Sequence, residues 1–190
     1  VAPVARTNAD VKGYVRVRDH AAFPSLKDTD LLMLNGPFTE LTAAAAGLTL
    51  IGPSMIGPPE FIHIDMKETD TPALVTKQVG KGTVAWLPWN LGALYYRHSL
   101  PAHAGLFRDV VAQLLPRRQI TTDAHPLVEM TLMRQGGRTL LHLINLSGHS
   151  QTGYFAPIPM GPIHVRVDGA FTTAKALRGP AVNLTKGELT

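Results

Sequence analysis

The chain has 190 residues, a formal net charge of +4 and no cysteine, and its residues are 45% apolar and 17% charged. This length and composition predict a folded protein of one large or two small domains rather than a disordered chain. The lack of cysteine excludes disulfides, thiolate metal ligands and a cysteine nucleophile. The basic residues are scattered and the apolar runs are far shorter than the roughly 20 residues of a membrane span, so we expect no nucleic-acid and no membrane partner.

The first 51 residues are predicted to form a lead-in and several short strands. Residues 1–13 show no regular pattern and are interpreted as a loose segment. Tyr14–Arg18 alternates apolar and polar residues, which is typical of a half-buried strand. Asn35-Gly36-Pro37 is a strong turn signal, and the alanine run at 43–46 has room for one helical turn. Apolar strands are predicted at Leu31–Leu34, Phe38–Leu41 and Leu48–Ile51.

A constrained loop and a hairpin follow. Residues 52–60 contain three prolines and two glycines, which predicts a surface loop, and Phe61–Met66 is predicted to be a short strand. Pro72–Val79 and Thr83–Leu87 flank Gly80-Lys81-Gly82, which predicts a β-hairpin. Because the second strand is apolar at nearly every position, we expect it to be a central strand covered on both faces.

The clearest helix is predicted over Leu100–Leu115. Its apolar residues recur at spacings of three and four, Ser99 is a suitable cap, and Pro101 suits the first turn. Pro116 is expected to end this helix.

The pattern changes after residue 118, and no helix is predicted beyond residue 116. A hairpin is predicted from Leu127–Arg134 and Thr139–Leu146, joined by a glycine-containing turn, and His142 is expected to be packed within its strand. Further strands are predicted at Ile163–Val167, Phe171–Leu177 and Val182–Leu184. We therefore interpret residues 1–118 as an α/β domain and residues 125–190 as part of an antiparallel β-sandwich, in a strand-rich chain with one helix.

Candidate catalytic residues are few. Hydrolysis of a glycosidic bond requires two carboxyl groups facing each other across a cleft, and no such pair is predicted. Glu60, which follows two prolines, is the best single candidate for a functional acid, although it also fits a role in ordering its loop. The histidines lack the spacing of a metal site. We therefore predict no metal site, and we also predict no catalytic residue and no cofactor.

Aromatic residues cluster just beyond the predicted central strand. Aromatic faces beside polar groups suit sugar rings, but tryptophan and tyrosine are also common in interfaces and in cores, and the three interpretations remain open. The candidate ligand-binding residues are Trp86, Trp89, Asn90, Tyr95, Tyr96, Arg97 and His98, together with Glu60.

Several motifs occur in a particular order along residues 50–150. They are Pro72-Ala-Leu-Val75, Gly80-Lys-Gly-Thr-Val-Ala-Trp-Leu-Pro88, Leu91-Gly92, Tyr95-Tyr96, Leu114-Leu115-Pro116, Val128-Glu-Met-Thr-Leu132 and Leu141-His-Leu-Ile-Asn-Leu-Ser147. The order up to Pro116 resembles the end of the glutamine-amidotransferase-like domain that follows the catalytic barrel in bacterial β-galactosidases, where it serves trimerisation. The later motifs resemble the small β-sandwich that follows that domain.

This resemblance implies a partial flavodoxin-like sheet, then a sandwich that lacks its final strands, as expected of a piece of a longer bacterial protein, cytoplasmic or periplasmic. In that family the catalytic carboxylates lie on the barrel, so no catalytic residue can be assigned to this chain. The implied role is that of a non-catalytic accessory module, with the upstream barrel and further copies of the chain as partners. The alternatives are a carbohydrate-binding module that uses Trp86–Tyr96 and, third, an independent hydrolase.

Overall fold

The structure, a computed structural model, describes residues 4–52, 58, 60, 67–150 and 152–190. The chain divides into two compact units, Val1–Pro116 and Arg117–Thr190, here called the N-terminal unit and the C-terminal unit. The domain types that the sequence predicts for residues 1–118 and 125–190 stay predictions.

Four strands of the N-terminal unit form one sheet: β1 (Val4–Val17), β2 (Leu31–Leu41), β3 (Leu48–Gly52) and β4 (Lys67–Pro72). Their order in space is β2-β1-β3-β4, and each neighbouring pair is antiparallel. Along β1 the buried side chains of Val11, Val15 and Val17 alternate with more exposed ones, which agrees with the pattern of Tyr14–Arg18.

The strand-rich, mostly β character of the chain is confirmed, whereas the flavodoxin-like sheet is not. Parallel neighbouring strands need a connection of about a dozen residues or more, which is usually helical. Between β1 and β2 the chain forms a single 3-10 turn at Pro24–Leu26, and the two strands pair antiparallel.

Two local predictions in this sheet are wrong. Residues 4–13 are not a loose lead-in, because they belong to β1 and pair with β2. The turn at Asn35-Gly36-Pro37 does not form, because β2 continues through it. Here the register shifts between Asn8 and Val11, and Gly36 takes a φ of 131°, so an irregularity in the ladder accommodates the glycine and the proline. The alanine run at 43–46 forms no helical turn.

The predicted hairpin is confirmed as β5 (Val75–Val79) and β6 (Gly82–Trp86), which pair with each other alone among the described strands. The prediction that its second strand is central is wrong, because Val84 is 53% exposed and β6 has one neighbour in the described sheet. The apolar residues of β6 are therefore only partly buried. The predicted strand Phe61–Met66 and most of the loop 52–60 lie outside the described residues.

The predicted helix is confirmed as α2 (Pro101–Leu114), and a second helix, α1 (Leu91–His98), precedes it. Ser99 does not cap α2. It ends α1 in a left-handed conformation, with φ of 51° and its N–H donating to the carbonyl of Tyr95. Among the described residues no helix combines the length and the apolarity needed to cross a membrane.

The C-terminal unit has no helix in its described residues, and its strands outside the predicted hairpin are two or three residues long. The predicted hairpin is confirmed as β8 (Val128–Gln135) and β9 (Arg138–Asn145), but His142 is exposed rather than packed. No strand forms over Phe171–Leu177, and the sandwich is not confirmed. The other strands are β7 (Ile120–Thr122), β10 (His149–Ser150), β11 (Gly153–Tyr154), β12 (Val165–Val167), β13 (Leu184–Thr185) and β14 (Glu188–Leu189). They form an antiparallel sheet β13-β14-β12-β7 and a pair β10-β11.

The hydrophobic core lies in the N-terminal unit, where one face of the sheet packs with the two helices. Fully covered side chains of this core include Phe23, Leu26, Leu32, Leu34, Phe38, Leu48, Leu74, Leu94 and Leu106. In the described part of the C-terminal unit the buried apolar side chains are Val165 and Val167.

Candidate functional site

The aromatic segment predicted to bind a ligand runs from the end of β6 into α1, and the structure separates its members. Trp89 is 7% exposed and belongs to the core. Its indole Nε1 donates a hydrogen bond of 2.9 Å to the carbonyl of Ala73, and its ring meets that of His103 edge-on at 5.8 Å. The polar atom of Trp89 is therefore engaged inside the protein.

Asn90 and His103 anchor the two helices to one edge of the sheet. Asn90 Nδ2 donates to the carbonyl of Asn35 at 3.1 Å, and His103 Nε2 donates to the carbonyl of Met33 at 2.9 Å. Met33 and Asn35 are two residues apart on β2, so their carbonyls leave the strand on the same side. Burial disfavours the imidazolium and lowers the pKa of His103, an effect that the Met33 bond opposes and the charge of His98 reinforces.

The sequence could have indicated this buried histidine. His103 lies on the stripe of α2 that also carries the buried Leu106 and Val110, and such a position within an apolar stripe is typical of a hydrogen-bonded core residue. Buried polar atoms with no protein partner in the described residues are His103 Nδ1, Asn90 Oδ1 and Thr49 Oγ1.

The remaining predicted residues of the segment lie on the surface of α1. Tyr95 is 41% exposed and Tyr96 is 91% exposed, and Arg97 and His98 are exposed in the last turn, where cations suit the helix dipole. Gly92 lies one turn before Tyr96 and leaves open space beside it. Together these residues form an open aromatic surface.

Trp86 and Glu60 do not belong to helix α1. Trp86 is half-buried at the end of β6, opposite Val75 in the hairpin. Glu60 is exposed, and the residues on both sides of it lie outside the described part of the chain. The ligand-binding role of all eight predicted residues stays a prediction.

Asp109 is the buried acidic side chain of the described residues, and it is 8% exposed. Its two oxygens accept bonds from Ser25, one from the backbone N–H at 2.8 Å and one from the hydroxyl at 2.6 Å. These bonds tie α2 to the 3-10 turn, so the carboxylate serves the fold locally. The described residues contain no group of three histidines or acids able to hold a metal ion.

A histidine–carboxylate pair, which the sequence reasoning missed, lies in the C-terminal unit. His164 Nδ1 is 2.7 Å from Asp123 Oδ2, and the backbone N–H of His164 donates to Asp123 Oδ1 at 2.8 Å. These bonds raise the pKa of His164 and lower the pKa of Asp123. The pair joins the residues next to β7 and β12 and is exposed.

The described fold is mostly β, with antiparallel sheets and two helices in its described residues. No family model and no curated protein matches the chain. A solved structure with a similar fold is "Alpha-L-fucosidase isoenzyme 2 from Paenibacillus thiaminolyticus", with a TM-score of 0.62 and 14% sequence identity. The match covers 98% of this chain and 30% of that chain. At this identity the likeness shows the fold alone.

Proposed function

We propose that the chain is a non-catalytic accessory region of a glycoside hydrolase, which packs on an upstream catalytic barrel and serves assembly of domains or subunits. Two findings support the family: the motifs between Pro72 and Ser147, and a fold that matches nearly a third of a fucosidase chain. The observation that carries the assembly role is the apolar surface that the described residues leave uncovered. Shaping of the substrate pocket of the barrel is part of the same proposal.

Helix α2 carries two apolar stripes. One stripe, with Leu106 and Val110, faces the core. The other consists of Phe107, Val111, Leu114 and Leu115, which are 60%, 37%, 38% and 55% exposed. A helix that is apolar on both sides is normally buried on both sides. We call these four residues the outer stripe of α2 and propose it as a contact with the barrel.

The C-terminal unit also leaves much apolar surface uncovered. Against two buried apolar side chains, its described residues include nine large exposed ones, among them Tyr154 and Phe155 at 81% and 72%. So many exposed large apolar side chains beside so few buried ones favour an interaction surface in this unit. The resemblance of the sequence motifs to the β-galactosidase family makes the barrel the partner that we propose for this surface, and the fold likeness covers only 30% of a longer chain.

The test begins with the coding sequence upstream of Val1, which is expected to encode a barrel with two carboxylates at strand ends. That segment and this chain, expressed as separate polypeptides, are expected to associate in isothermal titration calorimetry. Phe107→Glu places a charge in the outer stripe and is expected to weaken the complex at least tenfold, since an unpaired charge in an apolar interface is costly.

The matched control is Lys81→Glu, which reverses a charge in the exposed turn of the β5–β6 hairpin and is expected to leave the affinity unchanged. The absence of an upstream barrel, or a barrel that does not bind this chain, contradicts the proposal. Sedimentation equilibrium of the chain alone distinguishes assembly with the barrel from assembly of several copies of this chain. Self-association that Phe107→Glu abolishes identifies a second copy as the occupant of the outer stripe.

A carbohydrate-binding role is the second candidate, and the exposed surface of α1 favours it. Tyr96 is 91% exposed beside the open Gly92, which leaves one face of the phenol ring accessible to a sugar. Titration with neutral oligosaccharides is expected to show binding that Tyr96→Ala removes and Tyr154→Ala, in the C-terminal unit, does not. Trp89 is unsuited to this test because its side chain is part of the core.

A further inference from the structure

The net charge of the chain is confined to one unit. Residues 1–116 contain ten basic and ten acidic residues, whereas residues 117–190 contain eight basic and four acidic ones. The whole excess of +4 therefore belongs to the C-terminal unit. Because the C-terminal unit carries this positive charge, we expect it to attract an anionic partner.

Most of these basic residues line two adjoining hollows, which we call the basic hollows. The first has a volume of about 270 Å³ and includes Arg118, Arg166 and Lys186 in its lining. The second has a volume of about 470 Å³ and includes Arg134 and Arg138. The two hollows share Asp168 and Gly169 in their linings, so they adjoin each other within the C-terminal unit.

The acidic groups near the basic hollows are already paired. Arg117 binds both oxygens of Asp168, with Nε at 3.0 Å and Nη2 at 3.1 Å. Arg166 Nη2 lies 3.4 Å from Glu188 Oε2. The basic groups that have no carboxylate partner among the described residues are Arg118 and Lys186 in the first hollow and Arg134 and Arg138 in the second.

Lys186 has an unusual backbone conformation. It is the first residue of the two-residue loop between β13 and β14, and its φ is 51°. At this position of a hairpin loop asparagine or glycine is favoured, because the left-handed conformation is costly for other residues. Lysine does not stabilise the turn at this position, so we attribute its presence to its positive charge.

We infer that the basic hollows form a binding site for a ligand that carries oxyanion groups. The planar guanidinium groups of Arg118, Arg134 and Arg138 suit carboxylate, sulfate and phosphate oxygens. Two adjoining hollows, each with two unpaired cations, favour a ligand with two anionic groups. The inference is independent of the accessory role, because it depends on the C-terminal unit alone.

The test is an NMR titration of the whole chain in about 10 mM salt, where screening of exposed charges is weak. The probes are inorganic sulfate, inorganic phosphate and digalacturonate, with neutral digalactose as the matched control. Saturable shifts of the Gly169 and Gly187 amides are expected with the anionic probes and not with digalactose. Tighter binding of digalacturonate identifies a saccharide carboxylate as the oxyanion, and tighter binding of the inorganic ions identifies a free anion.

Lys186→Asn is the sharpest variant, because asparagine suits the turn while the charge is lost. It is expected to weaken binding roughly fivefold to tenfold, as loss of one charge-assisted hydrogen bond predicts, and Arg134→Gln is expected to act in the same direction. Lys175→Gln, which removes an exposed cation outside the hollows, is expected to change nothing. No saturable shifts with any anionic probe, equal binding of digalactose, or an equal loss in Lys175→Gln overturns the inference.

Discussion

The two units are both built from antiparallel strands, yet they differ in how many apolar side chains they bury. Among the described residues the N-terminal unit buries twenty apolar side chains and the C-terminal unit buries two. Because burial of apolar surface is the main favourable contribution to folding, similar secondary structure does not imply similar stability. The comparison shows that nearly all of the buried apolar side chains among the described residues belong to the N-terminal unit, so we expect the C-terminal unit to be the less stable of the two on its own.

The N-terminal unit also has buried polar anchors, which the C-terminal unit lacks in its described residues. Asp109, His103 and Trp89 each bond across to another element of the N-terminal unit. In the C-terminal unit the bonds between Arg117 and Asp168 and between Asp123 and His164 are exposed. Exposed ion pairs contribute little to stability, because solvent screens them.

The largest effect is expected from the core of the N-terminal unit. Leu106→Ala removes a fully buried side chain and is expected to reduce the free energy of unfolding by about 2–5 kcal/mol. The neighbouring Phe107→Ala, at a position 60% exposed, is expected to change it by about 0.5 kcal/mol or less in the isolated chain. Urea unfolding followed by tryptophan fluorescence checks both, because Trp86 and Trp89 both lie in the N-terminal unit. Equal effects of the two variants would contradict the assigned core.

A smaller loss is expected from the buried carboxylate. Asp109→Ala leaves the backbone N–H of Ser25 without its acceptor and is expected to reduce the free energy of unfolding by about 1–3 kcal/mol. Asp28→Ala is the control, since the Asp28 side chain is 85% exposed and lies 3.8 Å from its lysine partner. The same urea experiment measures the two variants. An unchanged free energy of unfolding in Asp109→Ala would show that the bonds to Ser25 do not hold α2 in place.

The helices and hairpins show how far the sequence alone could go. Helix α2 and the β8–β9 hairpin were predictable, because their signals lie in local spacing and in turn residues. The course of β2 through Asn35-Gly36-Pro37 was not, because an irregularity in the ladder depends on the partner strand. Helix α1 was missed since its eight residues are too few for a clear periodic pattern.

The candidate site shows the same limit. Residue types drew attention to Trp89 and Tyr96, but residue type does not distinguish a core side chain, 7% exposed, from a surface one, 91% exposed. The basic hollows combine Arg118, Arg134 and Lys186, which are far apart in sequence. Only the folded chain brings such residues to two adjoining hollows.

The two units are also expected to respond to pH in opposite directions. In the N-terminal unit the folded state lowers the pKa of His103 below its ordinary value of 6.5, so the unfolded chain binds the proton more readily. The N-terminal unit should therefore lose stability as the pH falls below 6.5. Urea midpoints between about pH 5 and pH 7.5 measure this, and His103→Gln is expected to flatten the dependence. His98→Gln should retain most of it, because burial is the main cause of the lowered pKa of His103 and the charge of His98 a minor one.

The smallest effect is expected at His164. Its pKa is raised above 6.5 and the pKa of Asp123 is lowered below 3.8, so the pair contributes fully between these two ordinary values. Its contribution is lost as the pH rises through the raised pKa of His164, or falls through the lowered pKa of Asp123. NMR titration of the His164 ring measures the shift. In Asp123→Asn the pKa of His164 is expected to return toward 6.5, and an unchanged titration would contradict the pairing.

Native-state hydrogen exchange, read by mass spectrometry, tests the central difference between the units most directly. In the chain alone, amides of β1 and β2 are expected to exchange slowly and amides of β8 and β9 quickly, because protection follows burial. With the upstream segment joined to the chain, β8 and β9 are expected to become protected while β1 and β2 change little. Equal protection of all four strands in the chain alone would contradict the account.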